Sequence, residues 1–368
     1  MSVVSRVHAR KHNNDAPAEI TAPGSAVRTD VSTQRGAVSG IAVTPDGSRL
    51  MVTHYGDDSF SIIDTVNGTV AQTVVDIDEP FAIAMAEVPS ANHAYVSTVS
   101  PAYDAVLAFD VDASWVVDAY PMAHSVTDLA VSPDGRHVYA SRTASTGADV
   151  AVLDTETGED TAIGIAATAA TTTQCVRVSP DGRRVYVAAN GPYSAELVVI
   201  DAHQHRVLNT VEIGSPIRDV ALSPDGASAY VGSCSPDFGA VLDVVDIGDT
   251  QTNRIASTLK VGEVSAFLTR LALSRNGERA YLVGDTGVTV LSTSTHDVIG
   301  GMVVGRQPSC VLESPDGNRL YIGDYAGTVT TLAVAPTTAS ADGSMHEAAT
   351  VPHAWALPEL MELQPIMA

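Results

Sequence analysis

Apolar residues along the chain come in short Val, Ile, Ala and Leu runs, interrupted by Gly, Pro, Asp and Ser every few residues. No window keeps a helical period for long, so the pattern predicts many short strands joined by turns. One phrase recurs: VSPDGRHVYA from Val131, VSPDGRRVYV from Val178, LSPDGASAYV from Leu222 and ESPDGNRLYI from Glu313. Aligned on its proline, the phrase stands at Pro45, Pro133, Pro180, Pro224 and Pro315, with weaker copies at Pro89 and Arg275. Those seven repeats are spaced by 45 residues on average. A period of ~40–50 residues is that of a four-stranded propeller blade.

The columns of the alignment carry the physics. Four residues before the proline stand Ile41, Met85, Leu129, Val176, Val220, Leu271 and Val311, all apolar. The next column is mostly small: Ala42, Ala86, Ala130, Arg177, Ala221, Ala272 and Leu312. Large and small residues on alternate faces suit an inner strand, because blades crowd near the ring axis. Pro-Asp-Gly then supplies a fixed φ, a side chain that bonds its own backbone and a residue free to take φ > 0. An aromatic column follows in Tyr95, Tyr139, Tyr186, Tyr230, Tyr281 and Tyr321, with Met51 as the exception. Third strands such as FSIID, VAVLD and LVVID close on Asp64, Asp154 and Asp201, and fourth strands such as VLNTVEI complete each blade.

The expected fold is therefore all-β, a seven-bladed β-propeller of four-stranded antiparallel blades. The last repeat shows three strands and then runs into APTTASADGS. SAVRTDVS from Ser25 reads like the fourth strands elsewhere and is expected to complete that blade and close the ring. Closure hides strand edges that would otherwise template aggregation. The division is an N-terminal arm over 1–24, a propeller over 25–335 and a C-terminal tail over 336–368. The end of that tail, WALPELMELQPIMA, suits a short helix or an extended strap.

Residues 197–233, LVVIDAHQHRVLNTVEIGSPIRDVALSPDGASAYVGS, resemble the Tyr-Val-Thr-Asn (YVTN) repeat of bacterial and archaeal β-propellers. The resemblance runs from about Ser25 to Val334 and implies the propeller fold. After the tyrosine column this chain has VAAN at Val187, VGSC at Val231 and IGDY at Ile322, which depart from the name-giving motif. The residues that carry the resemblance are structural, so it implies no binding residues.

Charge narrows the function. A net charge of −23 weighs against nucleic acid, whose phosphates call for clustered Lys and Arg. Lys11 and Lys260 are the only lysines, which leaves almost no candidate for lysine chemistry. The acidity suits a monomer that resists self-association. No run approaches the ~20 apolar residues of a membrane span, and the first residues hold no apolar stretch typical of a signal peptide. Cys175, Cys234 and Cys310 form no close-spaced pair. Free thiols in the cytoplasm are the expectation.

In this topology the Pro-Asp-Gly turns lie on one face, and the second-to-third-strand loops and interblade loops surround the channel mouth on the other. Ligand-binding candidates there are His54, Tyr55, His124, Asp128, Arg142, Asn190, Arg218, Asp219, Arg270, Asp285, Asp324 and Tyr325. With Asp58, Asp104, Asp149 and Glu196 in the loops, an acidic mouth with a few arginines is expected. Acids at the mouth leave a divalent cation open, against the plainer reading that each caps its own turn. No cofactor is otherwise predicted. His203-x-His205 lies away from the mouth and is a poor metal site alone.

Two functions compete. The leading one is a non-enzymatic scaffold that binds a protein or peptide partner through the mouth, since the strong signals are structural and loops on a rigid ring suit such surfaces. The alternative, by analogy with other seven-bladed propellers, is a lactonase- or lyase-type enzyme, metal-assisted or not. Its candidate base is His54, its charge stabiliser Arg142 and its orienting acid Asp219.

Overall fold

In the computed structural model the described residues are 28–86, 92–100, 103–166, 168, 170–235, 239–248, 253–261, 268–304 and 307–334. They form seven four-stranded antiparallel sheets. The inner strands are Val38–Val43, Ile83–Met85, Ser125–Val131, Thr172–Val178, Ile217–Leu222, Arg270–Leu273 and Pro308–Glu313, and each touches the next in cyclic order. These are blades 1 to 7. The predicted propeller is thus the observed fold. Residues 1–24, expected as an arm, and 336–368, expected as a tail, lie outside the described residues, and no helix among those described is long and apolar enough to cross a membrane.

Blade 7 takes its fourth strand from the beginning of the described chain. Arg28–Ser32 pairs antiparallel with Thr328–Ala333, in a register running from Arg28 opposite Leu332 to Ser32 opposite Thr328. The Thr33 backbone N–H and hydroxyl both donate to the Gly327 carbonyl, at 2.9 and 2.8 Å. Val31 is buried between blades 7 and 1.

The core is divided. Among the described residues the buried apolar side chains fall into seven clusters, one at each junction between neighbouring blades. A blade cannot bury both its faces alone, so stability accrues through neighbour contacts, as in other repeat architectures. Each column tyrosine fills the junction to the following blade. At the junction of blades 1 and 2, Met51 takes that place beside an edge-to-face pair, Phe60 and Phe109, with centroids 4.8 Å apart.

The Pro-Asp-Gly turns follow one plan. In blade 3, Ser132 Oγ donates to Asp134 Oδ1 at 2.6 Å, and Asp134 accepts the Arg136 N–H at 3.1 Å. His137 N donates to Ser132 Oγ at 2.9 Å, and Gly135 closes the turn at φ +75°. The turns also join blades: a Cβ on Gly277 would lie 3.0 Å from Pro224 of the preceding blade, and one on Gly182 3.5 Å from Pro133. At the seam, Gly47 meets Pro315 in the same way.

Blade 6 breaks the plan where Arg275 replaces proline, leaving a backbone N–H that proline lacks. That N–H donates to the Glu313 carboxylate of blade 7, whose other oxygen accepts from the Tyr281 hydroxyl at 2.8 Å. Glu313 is itself an exception, since the other clear copies carry Val or Leu two residues before the turn residue. The two exceptions meet across a blade junction.

Candidate functional site

The mouth opens into a funnel of about 540 Å³ whose walls include Tyr55, Phe81, Leu268, Pro308 and Tyr325. Through Ser39 and Arg270 it borders a second cavity of about 660 Å³, the channel towards the Pro-Asp-Gly face. Tyr55 stands edge-on to Phe81, centroids 5.8 Å apart. Its phenol is pushed up by the nearby Glu79 carboxylate.

The chain's eleven tyrosines divide by position. Six occupy the buried column, and Tyr120 is half-buried on the fourth strand of blade 2. The remaining four, Tyr55, Tyr103, Tyr193 and Tyr325, are 47%, 57%, 99% and 55% exposed. All four lie in loops between second and third strands, on the mouth face. Tyr55 and Tyr325 line the funnel, while Tyr103 and Tyr193 belong to the loops of blades 2 and 4.

The twelve sequence candidates separate into three groups. Tyr55, Arg218, Arg270, Asp285 and Tyr325 line the funnel. Asp128 and Asp219 line the channel below it. The other five line neither cavity. His54 is fully buried in blade 1, with Nδ1 3.1 Å from the Gly36 carbonyl and Nε2 3.0 Å from Ser61 Oγ. Its pKa is lowered, chiefly because burial disfavours the imidazolium. Arg142, 3% exposed, makes a fork to Asp149 at 2.7 and 3.1 Å. Asn190 staples blade 4 to blade 5: its Nδ2 donates to the Ile217 carbonyl at 2.9 Å and its Oδ1 accepts the Ile217 N–H at 2.8 Å. Asp324 Oδ1 accepts the Ala326 and Thr328 N–H groups, both at 2.8 Å, and so caps its own turn. His124 lies half-buried between blades 2 and 3.

His54, Arg142 and Asp219 are therefore not brought to one site. Both ring nitrogens of His54 have partners inside the blade, and the Arg142 guanidinium is taken up by Asp149. The loop acids Asp58, Asp104, Asp149 and Glu196 do not line the funnel, whose charged side chains among the described residues are Arg218, Arg270 and Asp285. Asp58, for example, turns to a partner of its own and accepts the Glu79 N–H at 3.0 Å. Among the described residues no three His, Cys, Asp or Glu side chains come together to hold a metal ion.

The channel holds a charge cluster in which the candidates Asp128 and Asp219 are joined by Arg177, a residue the column reading did not name as a site residue. Arg177, the one arginine in the small column, reaches Asp128 of blade 3 and Asp219 of blade 5, both at 2.6 Å. It also donates to the Val220 carbonyl at 2.8 Å. Each acid in turn bonds the inner strand of the next blade, Asp128 accepting Val176 N–H at 3.1 Å and Asp219 accepting Leu271 N–H at 2.9 Å. An arginine where crowding otherwise asks for alanine was the available signal.

No protein-family model matches the chain. The seven-bladed β-propeller protein Rv1057 of Mycobacterium tuberculosis is 48% identical to it over 95% of this chain and 94% of that protein. Among solved structures, hydrazine synthase of Kuenenia stuttgartiensis aligns with a TM-score of 0.73 at 20% identity, covering 83% of this chain and 97% of that one. The Cps50 (Swd1) β-propeller domain of Myceliophteria thermophila aligns with a TM-score of 0.69 at 11% identity, covering 83% and 98%. At such identities these two likenesses show the fold alone. The 48% identity reaches further, and this chain belongs to the family of the seven-bladed β-propeller protein Rv1057.

Proposed function

We propose that the protein is a non-enzymatic scaffold that binds a protein or peptide partner through its mouth face. One observation carries the reading: all four exposed tyrosines stand in loops of that face, two of them lining a largely apolar funnel. Tyrosine supplies large, stiff contact area with a polar tip and is enriched where binding energy concentrates. The six column tyrosines serve the blades as buried filler, whereas these four leave about half or more of their surface exposed on one face.

Two finer assignments belong to this reading. The repeats are of the Tyr-Val-Thr-Asn type, on the strength of their turn phrase and aromatic column. The protein acts as a monomer, which its net charge of −23 supports, in the cytoplasm, which the free thiols Cys175, Cys234 and Cys310 support.

The test is a peptide library selected against the immobilised protein, with each selected peptide titrated against variants of both faces. Trp115 is 63% exposed at the start of a fourth strand on the Pro-Asp-Gly side and serves as the control. The Y55S/Y325S protein is expected to lose at least ~10-fold in affinity while W115S binds as wild type. Peptides indifferent to Y55S/Y325S would move the surface off the mouth.

A further inference from the structure

Arg270 stands at the neck of the mouth, bordering both the funnel and the channel below. Its guanidinium has no hydrogen bond or ion pair to any described residue. The reason lies in its neighbours. Asp219 already accepts from Arg177 at 2.6 Å, from its own strand at Val220 N–H at 2.8 Å and from Leu271 N–H at 2.9 Å. Asp128 is held by Arg177 and by Val176 N–H. These acids supply a field without offering Arg270 a bond. Burial works against its charge, and Asp219 and Asp128 outweigh that effect, so the guanidinium stays charged. Arg218, exposed on the same funnel, likewise has no partner among the described residues.

We propose that the funnel receives the free C-terminal carboxylate of the partner peptide, with Arg270 binding it at the floor and Arg218 from the wall. The proposal rests on the binding reading above and names the chemistry that reading leaves open. A guanidinium presents two parallel N–H donors that match a carboxylate in a paired, planar contact. In a chain of net charge −23, two uncommitted arginines against the single carboxylate of Asp285 leave the described lining of the recess net positive, a local exception that draws an anion in. The volume of about 540 Å³ lies within the range of ligand pockets and suits a few residues entering end-on. Phe81, Leu268 and Pro308 give the terminal side chains an apolar wall, and Tyr55 and Tyr325 flank the entry. A chain entering end-on brings its terminus to the neck, whereas one lying across the rim keeps its side-chain carboxylates above it.

The experiment uses the full chain and a library displayed with free C-termini. A selected peptide is synthesised as the acid and as the C-terminal amide, and each is titrated against wild type, R270Q and R218Q. Amidation is expected to weaken binding to wild type by about 10- to 100-fold, the scale of a charge-assisted contact. R270Q should weaken the acid by a similar factor and leave the amide where it was, and R218Q should do the same less strongly. If R270Q does not fold, R270K keeps the charge without the paired geometry and should lose part of the preference for the acid. Acid and amide binding alike, with the mouth tyrosines still required, would overturn the carboxylate site and leave the binding reading standing. Peptides that ignore the mouth tyrosines would overturn both. A simple acid such as 3-phenylpropionate binding as tightly as the peptide would replace the peptide terminus with a small organic acid and so also defeat the proposal.

Discussion

The two ends of the ring are built to opposite rules. On the Pro-Asp-Gly face the six described turns repeat one plan, a Ser or Thr hydroxyl bonded to the Asp or Asn two residues on. On the mouth face the loops differ in length and residue, four tyrosines stand in solvent, and two arginines of the funnel have no partner among the described residues. The difference separates what holds a ring together from what a ring offers to something else. Groups satisfied within the fold have nothing left to give a ligand, and uncommitted ones contribute little to folding.

The most severe way to break the contrast removes what both faces depend on. Deleting residues 1–33 takes away the strand that completes blade 7, exposes Thr328–Ala333 as an edge and unpacks Val31. The expected fall in melting temperature is roughly 5–10 °C, with a gain in aggregation, read by calorimetry and light scattering. An unchanged melt would mean that the seam adds nothing to stability.

On the Pro-Asp-Gly face, Gly277→Val forces a β-branched residue to φ +73° and drives its Cβ against Pro224. A loss of about 2–4 kcal/mol in urea unfolding is expected, since neither the backbone nor a proline ring yields easily. Glu313→Ala removes the carboxylate that accepts from both the Arg275 N–H and the Tyr281 hydroxyl and should cost about 1–3 kcal/mol. The double variant Glu313→Val with Arg275→Pro restores the repeat's usual pairing and should recover part of that loss.

Acid separates the faces more gently. Hydrogen bonds from Thr44, Ser132, Ser223 and Ser314, foremost among the causes, hold the carboxyls of Asp46, Asp134, Asp225 and Asp316 below the usual range, Asp316 at about 2. A carboxyl whose folded pKa is depressed stabilises the fold above its unfolded value of 3.8 and loses that contribution as pH falls through the folded value. Melting temperature should therefore drop between pH 4 and pH 2. The drop should be shallower in D316N, and only modestly so because the group is exposed.

The smallest stability effects belong to the mouth. Tyr193→Ser and Arg218→Ala are expected to shift unfolding by no more than ~0.5 kcal/mol, the scale of surface changes. A loss above ~1 kcal/mol from either would show that mouth residues help hold the ring, and the contrast between the faces would blur.

Much of this was legible in the chain and some was not. Regular columns predicted blades, turns and closure, because each column meets the same environment once per blade. The mouth candidates fared unevenly. Tyr55, Arg218, Arg270, Asp285 and Tyr325 do line the funnel, while His54, Arg142, Asn190 and Asp324 have partners within or between blades. Loop position can be read from the repeat, but the direction of a side chain at a strand end depends on which neighbour holds its partner. The departures were the better signals: Arg177 among alanines, Arg275 in place of proline and Glu313 among Val and Leu each mark a contact between blades.

By itself the sequence determined the period, the number of blades, the turn chemistry and the strand that closes the ring. All of these rest on contacts within one repeat or between identical repeats, where spacing and residue type suffice. Only the tertiary structure decided which charges are paired and which are left over. Asp128, Arg177, Asp219 and Arg270 come from four different blades. Closing the ring brings them round one channel, where the geometry of three leaves the fourth without a bond.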